Sequence, residues 1–245
     1  MKILACYSNK GGVGKTASSV NLAYACAMSG RKTLLCDLDP QAASGFYFRV
    51  KPSKKLENIA FFKDQEKLLD SIRASDFENL ELLPANLSFK DFDIFLDRMK
   101  KSSSRLKKAL KVTRSEYDVV ILDCPPNISM LSENVFRAAD RIVVPVIPTT
   151  LSARTLEQLY AFFEEEGFSK KKLLPFFSMV QMNKKLHRET IQALRKEYKM
   201  LKPQVPFSTD VERMGVNRAP VATFAPKSAA SIAYRAVWQE VEKHL

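Results

Sequence analysis

The chain has 245 residues, 46% of them hydrophobic, enough to bury one sizeable core, and residues 1–245 are predicted to form a single domain with no internal linker or repeat. Its 39 Lys and Arg against 27 Asp and Glu leave a net charge of +12, more than a small anionic ligand needs, so a polyanionic partner is expected. No apolar run reaches the roughly 18 residues of a membrane span, the first strand begins without a leader, and Cys6, Cys26, Cys36 and Cys124 lack CxxC spacing, so the expectation is a cytosolic protein with reduced core thiols.

The first element is the apolar run Ile3-Leu4-Ala5-Cys6-Tyr7, read as a buried strand, which leads into Asn9-Lys10-Gly11-Gly12-Val13-Gly14-Lys15-Thr16. This is the phosphate-binding pattern GxxxxGK[ST] with Asn9 in place of its first glycine and an additional lysine at position 10. A strand ending in such a loop aims successive backbone N–H groups and a helix N-terminus at one point. Gly11, Gly12 and Gly14 leave room for phosphate oxygens, Lys15 brings charge to the β and γ phosphates, and Thr16 offers a hydroxyl to Mg²⁺. Small and apolar residues at helical spacing from Ala17 to Met28, stopped by Gly30, supply the helix that the loop requires.

Thr33-Leu34-Leu35-Cys36 reads as a second buried strand that delivers Asp37-Leu38-Asp39-Pro40-Gln41 to the same sheet edge. Val119-Val120-Ile121-Leu122-Asp123 has the unbroken apolar character of a central parallel strand, and its terminal carboxylate is placed to hold Mg²⁺; Cys124-Pro125-Pro126-Asn127 follows as a switch. Strands over Ile142–Val146 and Leu173–Val180, separated by a helix from Ser152 to Glu165, continue a βα alternation. The expected fold class is therefore α/β, a mostly parallel central sheet flanked by helices. Two segments concentrate positive charge: Arg98 to Arg114 has eight basic residues and no acidic one, and Lys184 to Lys202 has seven against Glu189 and Glu197. The second carries Leu186, Ile191, Leu194 and Tyr198 near helical spacing and reads as an amphipathic helix with a basic outer surface for a polyanion; a solvated face is the alternative for either run. A last apolar stripe, Ile232, Tyr234, Val237, Trp238, Val241 and Leu245, looks like a helix packed on the body of the domain.

The loop sequence KGGVGKT, followed by the DxDPQ segment, resembles the deviant Walker A motif of the ParA/MinD superfamily of P-loop ATPases, closest to its short, Soj-like ParA members that lack an N-terminal helix-turn-helix domain. The resemblance implies an ATPase of weak intrinsic turnover that uses ATP and Mg²⁺. It gives catalytic roles to Lys10, Lys15 and Asp39, with Lys10 reaching across a dimer interface to the partner's ATP. It assigns nucleotide binding to Lys10, Gly11, Gly12, Val13, Gly14, Lys15, Thr16, Ala17 and Asp37, with Asn183, Pro206 and Phe207 near the adenine, and metal binding to Thr16 and Asp123. Asn183 also reads as a plain turn residue, and Ala17 departs from the second threonine of many members, removing one hydroxyl near the α phosphate.

ParA relatives contact DNA without base specificity through their C-terminal part, which points here to Lys184, Lys185, Arg188, Arg195, Lys199, Arg213 and Arg218. The implied function is an ATP-dependent homodimer, nucleoid-associated when ATP-bound, that partitions or positions plasmid, chromosome or other cargo, with a ParB-like or cargo-adaptor protein stimulating hydrolysis. The alternatives are a MinD-like, membrane-associated positioning ATPase and a metabolic or metal-cluster enzyme; the second lacks the paired cysteines that a cluster requires.

Overall fold

A computed structural model describes residues 1–54, 56–100 and 102–245, with Asn58 described by its backbone alone. Among the described residues, eight strands form one sheet: β1 (Lys2–Cys6), β2 (Thr33–Asp37), β3 (Arg73–Ala74), β4 (Leu80–Leu83), β5 (Val119–Asp123), β6 (Arg141–Val146), β7 (Leu173–Val180) and β8 (Gln204–Pro206). Their order is β3-β4-β2-β5-β1-β6-β7-β8, and every pairing is parallel except β3 with β4. The α/β expectation is met, and the predicted strands and helices fall within a few residues of those observed.

The centre of the sheet is apolar on both faces because each face has its own helical layer. Along β5, Val120 and Leu122 join one core with Val135, Phe136 and Phe163, while Val119 and Ile121 join the other with Val20, Leu22 and Trp238. This alternation explains why the run reads as continuously hydrophobic. The second layer contains helix α1 (Lys15–Met28) and the helix Ala229–Glu242, where Tyr234, Val237, Trp238 and Val241 are buried. Ile232, counted in that stripe from its spacing, is instead exposed.

One expected helix is shorter than its pattern. The basic helix spans Lys185–Glu197 and does not continue to Lys202. Tyr198 adopts an extended backbone (φ −120°, ψ 146°) and its ring packs on Tyr160 at 4.6 Å, after which the chain turns into β8. Helical spacing placed Tyr198 on the right face; the tyrosine pair and the following edge strand set the end.

Candidate nucleotide site

The P-loop joins β1 to α1 at the carboxyl edge of the sheet, where connections leave the central strands in opposite directions and ligands of open α/β sheets bind. Gly12 (φ 72°) and Gly14 (φ 89°) take the left-handed backbone that turns the chain into α1. A Cβ on Gly14 would also stand 3.2 Å from the Ser178 hydroxyl, whereas Gly11 and Gly12 face open space. The loop is thus pinned to the body at its helix end and open at its tip.

Lys15 is buried at the start of α1 and its Nζ donates to the Lys10 carbonyl at 3.1 Å, a neutral acceptor that a phosphate oxygen can replace. Lys10 points the other way. Its Nζ donates to Ser152 Oγ of its own chain at 3.2 Å, and Ser152 Oγ also accepts from Thr149 Oγ1 at 3.2 Å. The two lysines predicted to divide their work therefore have separate partners.

Asp37 and Asp123 end neighbouring strands and face each other in register, both buried. Burial, followed by the Asp123 carboxylate, holds Asp37 well above the usual carboxylate range. Burial drives Asp123 up to about 6, against the pull of hydrogen bonds from Ser44, Ser19 and Thr16. Ser19 Oγ donates to Asp123 Oδ1 at 3.0 Å and Ser44 Oγ to Oδ2 at 2.8 Å. Asp37 in turn accepts from the backbone N–H groups of Asp39 (3.0 Å) and Ser44 (3.1 Å), so it clamps the segment that follows β2. Asp39 is half-buried and accepts from the Gln41 N–H at 3.0 Å.

Two buried carboxylates that, among the described residues, accept from hydroxyls and backbone N–H groups, beside the Thr16 hydroxyl, make a hard-oxygen donor set that suits Mg²⁺. Among the described residues no three Asp, Glu, His or Cys side chains gather at metal-ligand spacing, so an ion here would depend on Thr16, Asp123 and the phosphates of a bound nucleotide. Sequence reasoning placed Thr16 and Asp123 together but missed Ser19 and Ser44. Ser19 lies one helical turn beyond Thr16 on α1, a spacing that was available as a signal; Ser44 had none.

The adenine candidates lie at the same edge. Asn183 is exposed just after β7, Pro206 ends β8, and exposed Phe207 donates its N–H to the Val180 carbonyl at 3.0 Å. The candidate DNA residues are not brought together. Lys184, Lys185, Arg188, Arg195 and Lys199 are on or beside the Lys185–Glu197 helix, whose buried Ile191 and Leu194 belong to one core. Arg213 and Arg218 flank Met214, which belongs to the other, and the Arg218 guanidinium lies 4.8 Å over the ring of Phe46 in helix α2 (Ala43–Tyr47). Several of these cations are already engaged: Arg188 donates to the Met182 carbonyl at 2.7 Å, Arg195 to the Lys202 carbonyl at 2.9 Å, and Arg213 lies 3.6 Å from Asp210.

A family profile described as an AAA domain matches residues 1–174. The chain is 29% identical over 248 residues to the sporulation initiation inhibitor protein Soj of Bacillus subtilis, an alignment covering 98% of each. Cobyrinic acid a,c-diamide synthase from Mycobacterium smegmatis, crystallised with ADP and magnesium, superposes with a TM-score of 0.81 at 26% identity, covering 100% of this chain and 95% of that one. A putative plasmid partition protein from Borrelia burgdorferi bound to AMPPNP gives a TM-score of 0.84 at 22% identity, a likeness of fold over 100% and 99% of the two chains. A chain that closes its first central strand with this two-lysine loop, and matches these proteins in sequence and fold, belongs to the ParA/MinD superfamily of P-loop ATPases and acts on ATP with Mg²⁺.

Proposed function

We propose that ATP works in this protein as a dimerisation switch, and that the ATP-bound homodimer, a single-domain protomer in each half, holds non-specific DNA in the cytoplasm while it partitions or positions a cargo. Lys15 and the backbone of Gly11 to Thr16 cradle the phosphates, Thr16 and Asp123 hold Mg²⁺, and Asp39, fixed through Asp37, orients the attacking water. Asn183, Pro206 and Phe207 border the adenine. Lys184, Lys185, Arg188, Arg195, Lys199, Arg213 and Arg218 supply candidate DNA contacts, and a ParB-like or cargo-adaptor protein stimulates hydrolysis and release.

The observation that carries this reading is the placement of Lys10. Its ammonium sits beside the loop on a neutral serine hydroxyl, so reaching a second subunit's ATP breaks one hydrogen bond and no ion pair. Similarity to the chromosome partitioning protein ParA of Myxococcus xanthus, 33% identical over 157 residues, adds weight to a partition role. A MinD-like lipid-binding helix is less well supported, because the Ala229–Glu242 helix spends Tyr234, Val237, Trp238 and Val241 on the core.

The test is Lys10→Ala. A charge that neutralises the phosphoryl transition state from across an interface is typically worth roughly 10³-fold or more in rate, so turnover should fall by that order while ATP affinity stays within a few-fold of the parent. Single-turnover hydrolysis and equilibrium nucleotide binding read the two effects separately; unchanged hydrolysis removes the trans role of Lys10.

A further inference from the structure

The basic run from Arg98 to Arg114 finds no role at the nucleotide edge. Its helix Arg105–Leu110 instead meets other cations at the opposite, amino-terminal edge of the sheet. There β6 starts with Arg141, β7 is entered through Lys170-Lys171-Lys172, and the helix Met130–Ala138 carries Arg137 in its last turn. Lys107, Arg137 and Arg141 all act on the Lys172 ammonium, whose pKa is lowered by burial and by these like charges against the opposing carboxylate of Asp140.

The hydrogen bonds given by this group go to neutral acceptors. Lys172 Nζ donates to the Phe136 carbonyl at 2.8 Å, and Arg141 Nη1 donates to the Asp140 carbonyl at 2.8 Å. Arg141 Nε is buried without a hydrogen-bond partner, and the Arg137 guanidinium lies 4.9 Å over the Phe168 ring. Asp140 spends its Oδ2 on the Ile3 N–H at 2.8 Å. Among the described residues, Lys107, Arg137, Arg141 and Lys172 take part in no ion pair. Folding has gathered four cations around one carboxylate, Asp140, and left a positive surplus there.

We propose that Lys107, Arg137, Arg141, Lys171 and Lys172 form a contact surface for the phosphate backbone of duplex DNA, away from Lys184 and Lys185 at the start of the basic helix Lys185–Glu197 and adjoining its far end, where Arg141 and Lys171 share a groove with Glu197 and Lys199. The inference rests on the DNA-binding reading above and specifies a surface for it. A positive surplus without an apolar anchor fits a phosphate backbone better than a bilayer or a protein partner, since no large hydrophobic side chain from these segments is exposed. Lys170 pairs with Glu164 at 2.9 Å, and the groove that Arg141 and Lys171 line also carries Glu157, Glu164, Glu197 and Glu240, so phosphate would meet the outer rim of these cations and not the groove floor. A second copy docked across the nucleotide edge leaves this opposite edge uncovered.

The experiment compares two variants in the full chain: Lys107→Gln/Arg137→Gln/Lys171→Gln at the amino edge and Lys184→Gln/Lys185→Gln at the start of the helix. Binding to a random-sequence duplex is measured with ATP and Mg²⁺ over a salt series, beside ATP binding and hydrolysis without DNA. The amino-edge variant should keep its nucleotide chemistry, lose at least about tenfold in DNA affinity at ~0.1 M salt, and show a log–log salt slope shallower by between about two and three. Lys107→Glu/Lys171→Glu, on two exposed side chains, is a second variant with the same expected sign. Parental affinity and slope in both amino-edge variants overturn this surface alone. A parent protein that does not bind the duplex, or that binds anionic vesicles in its place, overturns the DNA reading and this surface with it.

Discussion

Asp123 is solvated by hydroxyls. Ser19 and Ser44 occupy its two oxygens at 3.0 and 2.8 Å, and burial still pushes its carboxyl up. Removing a hydroxyl leaves a buried carboxylate less compensated, a change typically costing about 1.5–3 kcal/mol when the hydrogen bond is to a charged group. Ser44→Ala should therefore lower unfolding stability by that order in urea titration, and it should weaken Mg²⁺-dependent ATP binding more than Mg²⁺-free binding. Equal loss with and without Mg²⁺ would make Ser44 a packing residue alone. Lys15, Thr16 and Asp123 were legible because a fixed loop spacing and an apolar strand ending in Asp carry their own geometry. Ser44 was not, since a serine acquires its role only from what the fold places opposite it. The same holds for Ser152 and the ammonium of Lys10.

At the scale of elements, the central strands were readable because burial on both faces leaves their middles almost wholly apolar, with the charged residues Asp37, Asp123 and Arg141 at their ends. β3, β4 and β8 were not: they are two, four and three residues long, and β8 ends in Pro206 at the sheet edge. Strands this short exist because a neighbour pairs with them, which composition does not record. The helix Ala229–Glu242 was readable from its stripe, and its hold on α1 is testable. Trp238 is fully buried, and its indole N–H donates to Ser29 Oγ at 3.2 Å. Trp238→Ala should cost about 3–5 kcal/mol, the usual range for emptying a large aromatic site in a core. Because this is the chain's one tryptophan, circular dichroism is the appropriate probe. A loss below about 1 kcal/mol would mean that the helix is only loosely seated on α1.

Taken whole, the sheet has two unlike edges. The amino edge carries the cluster around Lys172; the carboxyl edge carries the P-loop, the segment after β2 and the exposed apolar side chains Phe46, Leu151, Met182 and Phe207. Which cations share a face was not legible in the sequence, because chain order does not say on which side of a sheet a connection crosses; Tyr198 packs on one core and Met214 on the other, although the basic residues beside them follow one another in the chain. The proposed dimer would join two carboxyl edges and cover those apolar groups, and Asp39 would decide how long it lasts. Asp39 is tied to Asp37 through its own N–H at 3.0 Å, while its side chain turns toward the Gln41 N–H, so removing the carboxylate leaves the Asp37 clamp in place. Asp39→Ala should then bind ATP, dimerise and fail to hydrolyse. In sedimentation velocity with ATP and Mg²⁺ it should run as a dimer for hours, while the parent returns to monomer as ATP is consumed. A variant that stays monomeric with ATP under conditions that dimerise the parent would take Asp39 out of the water-positioning role and place it in the assembly step.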